Sequence, residues 1–387
     1  MGGTAGSSGG VAGSGGSPGG SSHGGTLTGG TGGQGGSGNS LVIISGGSGG
    51  TGGLPTSCSG QYSTATLEPT NLLFLIDRSG SMNCNAPPVQ TTENCRISLQ
   101  KFDSNQPSKW EITRQAVSEA LQAVVGTSRL NVAAALYPTG NTETTCDFPR
   151  EPQVRFAPLD TGQATNIRNL LDATVPLGAT PIFFSLASTY NYIQNNFSML
   201  GGATWVILLT DGSESCSTEA QVVDLLNAMV PAARDALQIS TVAVGLPGSE
   251  EGRALLSEIA WKGGSAVDAC THSAVWPPTD PTQGDCHYDL SGAADFSTAL
   301  HAALPAIIQP ALDCKVAVPP GVADLNLVNV QLNGRLIPKD SGRVCEVEAW
   351  HYTPDRSKIV LCGPACSEAR APQSRIDIMV GCPTSVL

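Results

Sequence analysis

The sequence predicts an α/β fold in which a doubly wound, mostly parallel sheet carries helices on both faces and is followed by a small disulfide-stapled β module. Two observations support this prediction. Up to about residue 312, short continuous apolar runs alternate with longer segments of helical periodicity, which is typical of parallel strands joined by crossover helices. Beyond Cys314 the helical periodicity ends, and turn residues separate short runs of alternating polarity.

The first strand is predicted at residues 71–76, where an apolar run too short for a helix ends directly in an Asp-Arg-Ser-Gly-Ser loop. Residues 83–107 then form an irregular insertion that contains Cys84 and Cys95. Apolar positions in residues 109–125 recur at helical spacing, so this segment is predicted to be an amphipathic helix with one buried face.

The same alternation continues along the chain. Further strands are predicted at residues 130–136, 204–209, 239–244 and 288–290. Further helices are predicted at residues 163–171, 181–194, 218–237, 249–261 and 295–308. We expect Pro231 to kink or break its helix and Pro305 to break the last one, because proline removes a hydrogen bond and clashes with the preceding turn.

These patterns divide the chain into three parts. Residues 1–57 are a Gly/Ser-rich tether, since 25 of the 46 glycines lie within the first 53 residues and such sequence buries too little apolar surface to fold. Its root-mean-square span is roughly 40 Å. Residues 68–312 are the α/β domain. Residues 313–387 are the β module, with turns at Asn333-Gly334 and Pro354-Asp355, and it is too small for a large core without disulfides.

The composition argues against two classes of partner. The formal net charge is −12 and the pI is about 4.8. Binding to nucleic acid or to anionic membranes needs basic patches, so neither is expected. No stretch approaches the roughly 20 apolar residues of a transmembrane helix. An acidic chain is instead compatible with attracting divalent cations.

Twelve cysteines predict a disulfide framework and therefore an extracellular, cell-surface or periplasmic location. A scatter of reduced core thiols does not fit cysteines that lie in loops beside Pro, Asn and Gly. No signal peptide follows Met1, so we expect an export signal upstream of this residue. Close spacing predicts three of the bonds: Cys84–Cys95, Cys270–Cys286 and Cys362–Cys366. A bond between Cys314 and Cys382 would tie the ends of the β module.

Polar side chains follow two predicted strands and precede one predicted helix. Asp77, Ser79 and Ser81 come directly after the first strand. Asp211 follows a later strand, and Thr180 stands just before a helix. Ligands of an open α/β sheet bind at the carboxyl ends of its strands, so we expect these side chains to meet there. Hard oxygen ligands suit Mg²⁺, with Ca²⁺ or Mn²⁺ as alternatives.

These residues resemble the metal-ion-dependent adhesion site (MIDAS) of von Willebrand factor A (vWA) domains. All five positions are present, in the family's order, and the resemblance covers residues 68–312. A mere N-cap and turn after the first strand would not explain the threonine or the second aspartate. The resemblance implies that Ser79, Ser81 and Thr180 contact the ion directly, with the aspartates acting partly through water. The tether is similar to those of exported bacterial vWA proteins.

The resemblance also bears on the remaining cysteines. In the vWA fold the site loops lie close together, which implies a Cys146–Cys216 bond. Cys58 and Cys345 are then left over and are able to pair. Zinc held by Cys270, His272, Cys286 and His287 is the alternative to a Cys270–Cys286 bond, but the adjacency of Cys286 and His287 is awkward for tetrahedral coordination.

Only two of the five site groups are carboxylates, so a divalent ion is incompletely neutralised and keeps a position that a partner's carboxylate can fill. We therefore expect a metal-dependent adhesion or assembly module that recognises an acidic group of a protein partner. In one alternative the metal only holds the site loops together, and the insertion at residues 83–107 covers it. In another the protein is a metal-dependent hydrolase, but no general base stands beside the metal loop, and we expect no enzyme.

Overall fold

The computed structural model describes residues 60–387, except for positions 274, 275, 313, 341, 343, 344 and 346. The predicted tether at residues 1–57 lies outside the described residues, and so does Cys58. Within the described part of the chain, no helix is both long enough and apolar enough to cross a membrane.

The described residues form the following strands and helices. The strands are β1 (Gln61–Ala65), β2 (Thr70–Asp77), β3 (Leu130–Tyr137), β4 (Val154–Pro158), β5 (Ala203–Thr210), β6 (Ile239–Gly245), β7 (Tyr288–Asp289), β8 (Lys315–Ala317), β9 (Val328–Leu332), β10 (Arg335–Ile337), β11 (Ala349–Tyr352), β12 (Lys358–Cys362) and β13 (Ile376–Val380). The α-helices are α1 (Thr92–Ile97), α2 (Lys109–Ala123), α3 (Thr161–Asp172), α4 (Ile182–Leu200), α5 (Glu219–Asp224), α6 (Val230–Leu237), α7 (Arg253–Lys262), α8 (Phe296–Ala311) and α9 (Pro364–Ala369).

Strands β2 to β7 form the central sheet in the order β4-β3-β2-β5-β6-β7. All of them except β4 run parallel to their neighbours. This sheet, with helices on both faces, confirms the predicted fold class. The antiparallel edge strand β4 was not predicted, because its sequence, Val-Arg-Phe-Ala-Pro, contains no continuous apolar run and is only partly buried.

The central strand β2 shows why both faces of the sheet are covered. All eight of its residues are buried. Leu72 and Phe74 pack into one core cluster, and Leu73 and Leu75 pack into another. Successive side chains of a strand point to opposite faces, so a continuous apolar run needs a helical layer on each side. Helices α2, α3 and α8 cover the first face, and α4 to α7 cover the second.

The prolines of two helices act differently. The prediction that Pro305 breaks the last helix was wrong, because α8 continues through both Pro305 and Pro310. Its apolar face, including Leu304, is buried in the core, and this packing outweighs the lost hydrogen bond. Pro231 has the predicted local effect, since a π turn at Leu225–Met229 separates α5 from α6 just before it.

Within the described residues the β module consists of two sheets, with the strand orders β1-β13-β9-β10 and β11-β12-β8. The turns predicted at Asn333-Gly334 and Pro354-Asp355 join antiparallel neighbours in these sheets. Strand β1 was not predicted, and it pairs with β13, so the module also uses chain from before the α/β domain. Its core includes Val330, Trp350 and Ile378.

The β module contacts the α/β domain at the amino-terminal ends of β2 and β3. Arg370, in the module, is buried and donates hydrogen bonds to the Thr70 hydroxyl at 3.0 Å and to the Ser128 carbonyl at 3.2 Å. The Glu68 amide donates to the Lys315 carbonyl at 2.8 Å. The loop at residues 77–81, which is predicted to hold a metal and is called the metal loop below, follows the other end of β2. The module therefore lies at the opposite end of the parallel strands.

The disulfides of the α/β domain join loops that are distant or irregular in sequence. The structure contains the bonds that we predicted for this domain: Cys84–Cys95, Cys146–Cys216 and Cys270–Cys286. Cys345, suggested as the partner of Cys58, bonds instead to Cys362.

The two pairs predicted within the β module were wrong. Cys314 bonds to Cys366 rather than to Cys382, and Cys362 bonds to Cys345 rather than to Cys366. Cys362 ends β12 whereas Cys366 lies on α9, so the two sulfurs face different partners in spite of their close spacing. Cys382 follows β13, which belongs to a different sheet from the strand after Cys314, and it is disulfide-bonded itself.

Candidate metal centre

The metal loop and the Asp211 loop lie side by side because their strands are neighbours. Strands β2 and β5 are parallel and paired, with Ile76 opposite Leu209. The residues that follow the two strands therefore leave the sheet at the same edge. Asp77 is the last residue of β2, and Asp211 directly follows β5.

The loop at residues 178–180, which contains Thr180, is held between the other two loops. The Gly80 amide donates a hydrogen bond to the Gly178 carbonyl at 3.0 Å, and the Thr180 amide donates one to the Ser215 hydroxyl at 2.8 Å. Gly178 has a φ of +108°, a conformation that residues with a side chain rarely adopt, so this turn requires glycine. The Thr180 hydroxyl lies beside Gly212, where an added Cβ would be 3.1 Å from Thr180 Oγ1.

Two further features hold these loops in place. The guanidinium of Arg78 donates hydrogen bonds to the carbonyls of Pro138, Gly140 and Val175, at distances between 2.5 and 2.9 Å. The Cys146–Cys216 bond connects the segment after β3 to the segment after β5. The protein itself therefore fixes the loops around the site.

Three side-chain oxygens converge between the loops, and we call them the oxygen cluster: Ser79 Oγ, Ser81 Oγ and Asp211 Oδ1. Ser79 Oγ lies 3.0 Å from Ser81 Oγ, Ser81 Oγ lies 2.8 Å from Asp211 Oδ1, and Ser79 Oγ lies 3.4 Å from Asp211 Oδ1. Adjacent ligands of an octahedral Mg²⁺ ion are about 2.9 Å apart, because each metal–oxygen bond is about 2.0–2.1 Å long. Two of the three separations in the oxygen cluster are close to this spacing, and the third, between Ser79 and Asp211, is wider.

Asp77 supports the oxygen cluster without being part of it. The side chain is fully buried. Its Oδ1 accepts a hydrogen bond from the Ser79 amide at 2.7 Å, and its Oδ2 accepts one from the Thr210 hydroxyl at 2.6 Å. Since both oxygens already have a donor, Asp77 fixes the turn of the metal loop and supplies negative charge.

The pKa of Asp77 is raised to about 7. Burial is the largest cause because it disfavours the charged form, and the negative charge of Asp211 is the second. Hydrogen bonds from Thr210 and Ser79 act in the opposite direction. A divalent cation at the oxygen cluster would favour the ionised form of Asp77.

One side chain of the site, that of Lys109, was not predicted from the sequence. It begins α2 and is only 3% exposed. Its ammonium contacts Asp211 Oδ2 and donates a hydrogen bond to the Pro247 carbonyl at 2.8 Å. A signal was present in the sequence: the capping box of Ser108 and Glu111 marks the start of a helix, where the backbone dipole disfavours a lysine.

The insertion at residues 83–107 packs along one side of the site. It is not wholly irregular as predicted, since it contains α1. Arg96 forms an ion pair with Glu251 at 2.8 Å, and Cys95 Sγ lies 3.5 Å from the Ser81 carbonyl. Ser81 is partly exposed, whereas the other four predicted site residues are buried. Solvent therefore reaches the oxygen cluster from the side of Ser81.

Two of the four side chains suggested as zinc ligands are joined to each other. Cys270 and Cys286 form a disulfide, so neither is a thiolate. His272 Nδ1 lies 3.0 Å from Glu258 Oε1. His287 is buried, and burial lowers its pKa to about 4.

No protein-family model matches the chain, and no curated protein matches it. Solved structures to which it is similar include the pilus adhesin SpaC from Lactobacillus rhamnosus GG, with 13% identity and a TM-score of 0.44 over 83% of this chain and 41% of the adhesin. The PilB minor pilin from Streptococcus sanguinis has 13% identity and a TM-score of 0.41, over 63% of this chain and 61% of the pilin.

A von Willebrand factor type A protein from Catenulispora acidiphila is also similar, with 13% identity and a TM-score of 0.38 over 85% of this chain and 62% of that protein. The present chain spans less than two thirds of the length of each of these three proteins.

Proposed function

We propose that the protein is an adhesion or assembly module that uses a divalent ion, Mg²⁺ in the first instance, to bind a carboxylate of a protein partner. The observation that carries this proposal is the oxygen cluster of Ser79, Ser81 and Asp211, in which two of the three separations, 2.8 and 3.0 Å, are close to the spacing of adjacent ligands of an octahedral ion. The cluster lies at the carboxyl edge of a parallel sheet, where α/β folds bind their ligands.

Each site residue has its own role in this proposal. Ser79, Ser81 and Thr180 offer neutral hydroxyl oxygens, and Asp211 offers Oδ1. Asp77 holds the metal loop through its hydrogen bond from the Ser79 amide. When bound, the ion would supply a positive charge that, together with the Lys109 ammonium, exceeds the charge of the two carboxylates, and hence an attraction for an acidic group.

We propose that the module works outside the cytosol, in the medium, at the cell surface or in the periplasm. The disulfides of the described residues support this, because such bonds persist in oxidising compartments. The net charge of −12 favours protein or cation partners over nucleic acid.

Partner capture tests the whole proposal. The immobilised chain would capture native partners in Mg²⁺ and in EDTA, and Asp77→Ala would serve as the site variant. We expect EDTA and Asp77→Ala each to abolish capture, because one removes the ion and the other removes charge and loop support. Asp235→Ala, at an exposed aspartate of α6, should bind like the wild type. Capture that survives both EDTA and Asp77→Ala contradicts the proposal.

Calorimetric titration tests the metal separately from the partner. Protein treated with EDTA and dialysed would be titrated with Mg²⁺, Mn²⁺ and Ca²⁺. We expect one site per chain, with binding lost in Ser79→Ala and retained in Ser198→Ala, a serine substitution in α4 away from the metal loop. Equal binding by both serine variants would argue against the oxygen cluster as the site.

A second candidate is a metal that serves only the structure. The observation that favours it is burial, since four of the five site residues are inaccessible and the insertion is held beside them by the Cys84–Cys95 bond and the Arg96–Glu251 pair. A melting temperature that rises with Mg²⁺, without any metal-dependent partner, would support this candidate over the first.

We propose a binding role rather than a catalytic one. A metal-dependent hydrolase needs a general base beside the metal-bound water. Both oxygens of Asp77 already accept hydrogen bonds, and Asp211 is contacted by Lys109. Hydrolase activity that Ser79→Ala abolishes would contradict this assignment.

A further inference from the structure

Lys109 places a buried positive charge beside the oxygen cluster. The side chains of Lys109 and Asp211 are 4% and 0% exposed. The two oxygens of the Asp211 carboxylate have different partners, because Oδ2 contacts the Lys109 ammonium and Oδ1 accepts a hydrogen bond from Ser81 at 2.8 Å. The lysine therefore shares a carboxylate with the proposed metal site.

The surrounding backbone is shaped around this ion pair. Besides Asp211, the Lys109 ammonium contacts the Pro247 carbonyl at 2.8 Å. The next residue, Gly248, has a φ of +115°, and an added Cβ would lie 3.1 Å from Lys109 Nζ and would collide with the Asp211 carbonyl oxygen. The Lys109 amide donates to the Cys84 carbonyl at 2.8 Å, which ties the lysine to the insertion. The Pro247–Gly248 turn thus holds the ammonium in place, and the insertion holds the backbone of Lys109.

We propose that Lys109 sets the charge of the metal centre, so that the centre holds a divalent ion weakly by itself and more tightly when a carboxylate is also bound. This inference rests on the metal-dependent function proposed above. One ammonium opposes the carboxylates of Asp77 and Asp211, so a divalent ion leaves the centre with one net positive charge instead of none. The Lys109 ammonium repels the ion, and the net positive charge of the occupied centre attracts an anionic partner group. Burial strengthens both effects.

A purely structural ion pair leads to a different expectation. If Lys109 only stabilised the loops, its removal would weaken the fold and the metal site together, because Asp211 would lose its partner. If Lys109 sets the charge, its removal weakens the metal-free fold but strengthens metal binding. The sign of the change in metal affinity therefore separates the two roles.

The test is calorimetric titration of the full chain with MgCl₂ and MnCl₂ after removal of bound metal, using the wild type, Lys109→Met and Lys262→Met. Methionine keeps an unbranched apolar side chain without the charge. Lys262, a partly exposed lysine 4.0 Å from Glu258, is the control at another place in the domain. Each titration is repeated in the presence of acetate as a carboxylate probe.

We expect Lys109→Met to bind Mg²⁺ about tenfold more tightly than the wild type or better, because one opposing charge is removed. Acetate should tighten Mg²⁺ binding in the wild type and do so much less in Lys109→Met. Lys262→Met should behave like the wild type in both titrations.

Thermal melting controls for the fold of the variant. In EDTA, Lys109→Met should melt below the wild type because Asp211 is buried without a counter-ion, and Mg²⁺ should restore its melting temperature. If Lys109→Met does not fold in EDTA, Lys109→Gln keeps a hydrogen-bond donor toward Pro247 and gives the same comparison of Mg²⁺ affinity.

The outcomes separate this inference from the proposed function. Tighter Mg²⁺ binding with weaker acetate coupling supports the role of Lys109. If the Lys109 variants bind Mg²⁺ equally or more weakly than a wild type that binds measurably, that role is overturned and the proposed function stays in place. If the Lys109 variants bind Mg²⁺ and the wild type does not, the role of Lys109 is supported but the proposed function is overturned. No binding by any of the proteins overturns both.

Discussion

A buried cationic side chain lies near each end of β2, and the surroundings of the two side chains differ. At the amino end, Arg370 donates hydrogen bonds to the Thr70 hydroxyl and to the Ser128 carbonyl, which are neutral acceptors. At the carboxyl end, the Lys109 ammonium contacts one of two buried carboxylates, those of Asp211 and Asp77. The first arrangement fastens the β module to the α/β domain, and the second leaves negative charge without a full partner.

This contrast teaches where a cation can act on the molecule. Hydrogen bonds from a buried cation to neutral acceptors contribute to the fold and do not require a ligand. Carboxylates that are buried together raise the pKa of Asp77 to about 7, so the ionised centre gains from any added positive charge. Changes at the carboxyl edge should therefore alter metal binding, whereas changes at the amino edge should alter stability alone.

The largest effect is expected from Asp211→Ala. This change removes one oxygen of the cluster and leaves the Lys109 ammonium buried without its carboxylate, which should cost about 3–5 kcal/mol in the free energy of unfolding and abolish Mg²⁺ binding. Urea unfolding and calorimetric titration measure the two effects. The double variant Lys109→Met with Asp211→Ala should regain part of the lost stability, and a double variant as unstable as the single one would refute the pairing.

The next effect is the dependence of stability on pH in the metal-free protein. The folded-state pKa of Asp77 is about 7, above its ordinary value of 3.8, so its contribution to stability is present below about pH 4 and is lost as the pH rises through 7. Urea unfolding between pH 4 and pH 8 should show this loss in the wild type but not in Asp77→Asn. Saturating Mg²⁺ should suppress the loss, and an identical pH profile for both proteins would contradict the assignment.

A smaller effect is expected at the other end of β2. Arg370→Met removes the hydrogen bonds to Thr70 and Ser128 and should cost about 2–3 kcal/mol in urea unfolding, since bonds to a charged group are involved. The affinity for Mg²⁺ should stay unchanged. Arg375→Met, at a mostly exposed arginine paired with Asp377, is the control and should cost less than about 1 kcal/mol. A change in Mg²⁺ affinity in Arg370→Met would show that the two edges are coupled.

The smallest effect is expected for the ion pair between Lys358 and Glu68, which links the β module to the segment before β2 at 2.8 Å. Both side chains are partly exposed, so Lys358→Met should cost less than about 1 kcal/mol and less still at high salt. Urea unfolding at low and high ionic strength measures this. A cost above about 2 kcal/mol would mean that this pair, rather than Arg370, fastens the module.

Local patterns in the sequence were sufficient to predict the sheet and its helices. The apolar run at residues 71–76 is buried on both faces, and the helix predicted at residues 109–125 is observed as α2. Strands without such a run were missed, namely β1 and β4, whose residues are only partly buried, and the three-residue β8. Pro305 was misjudged for a related reason, since the packing of α8 overrides a local preference.

Spacing along the chain predicted disulfides well only where the loop itself brings the cysteines together. Cys84 and Cys95 lie within one short insertion and are joined. In the β module, the order of strands decides which sulfurs meet, so Cys314 pairs with Cys366 although other cysteines are closer or better placed in sequence. A pairing that depends on long-range strand order is not visible in residue spacing.

The sequence by itself determined that Asp77, Ser79, Ser81 and Asp211 leave the sheet at one edge, because parallel strands that end in polar residues must present them at their carboxyl ends. Only the tertiary structure decided that Lys109 reaches the same place. Its helix begins after the insertion, and its ammonium meets Asp211 through contacts between residues far apart in the chain. Periodicity reports which face of an element is buried, whereas the partner of a buried charge depends on how the elements are assembled.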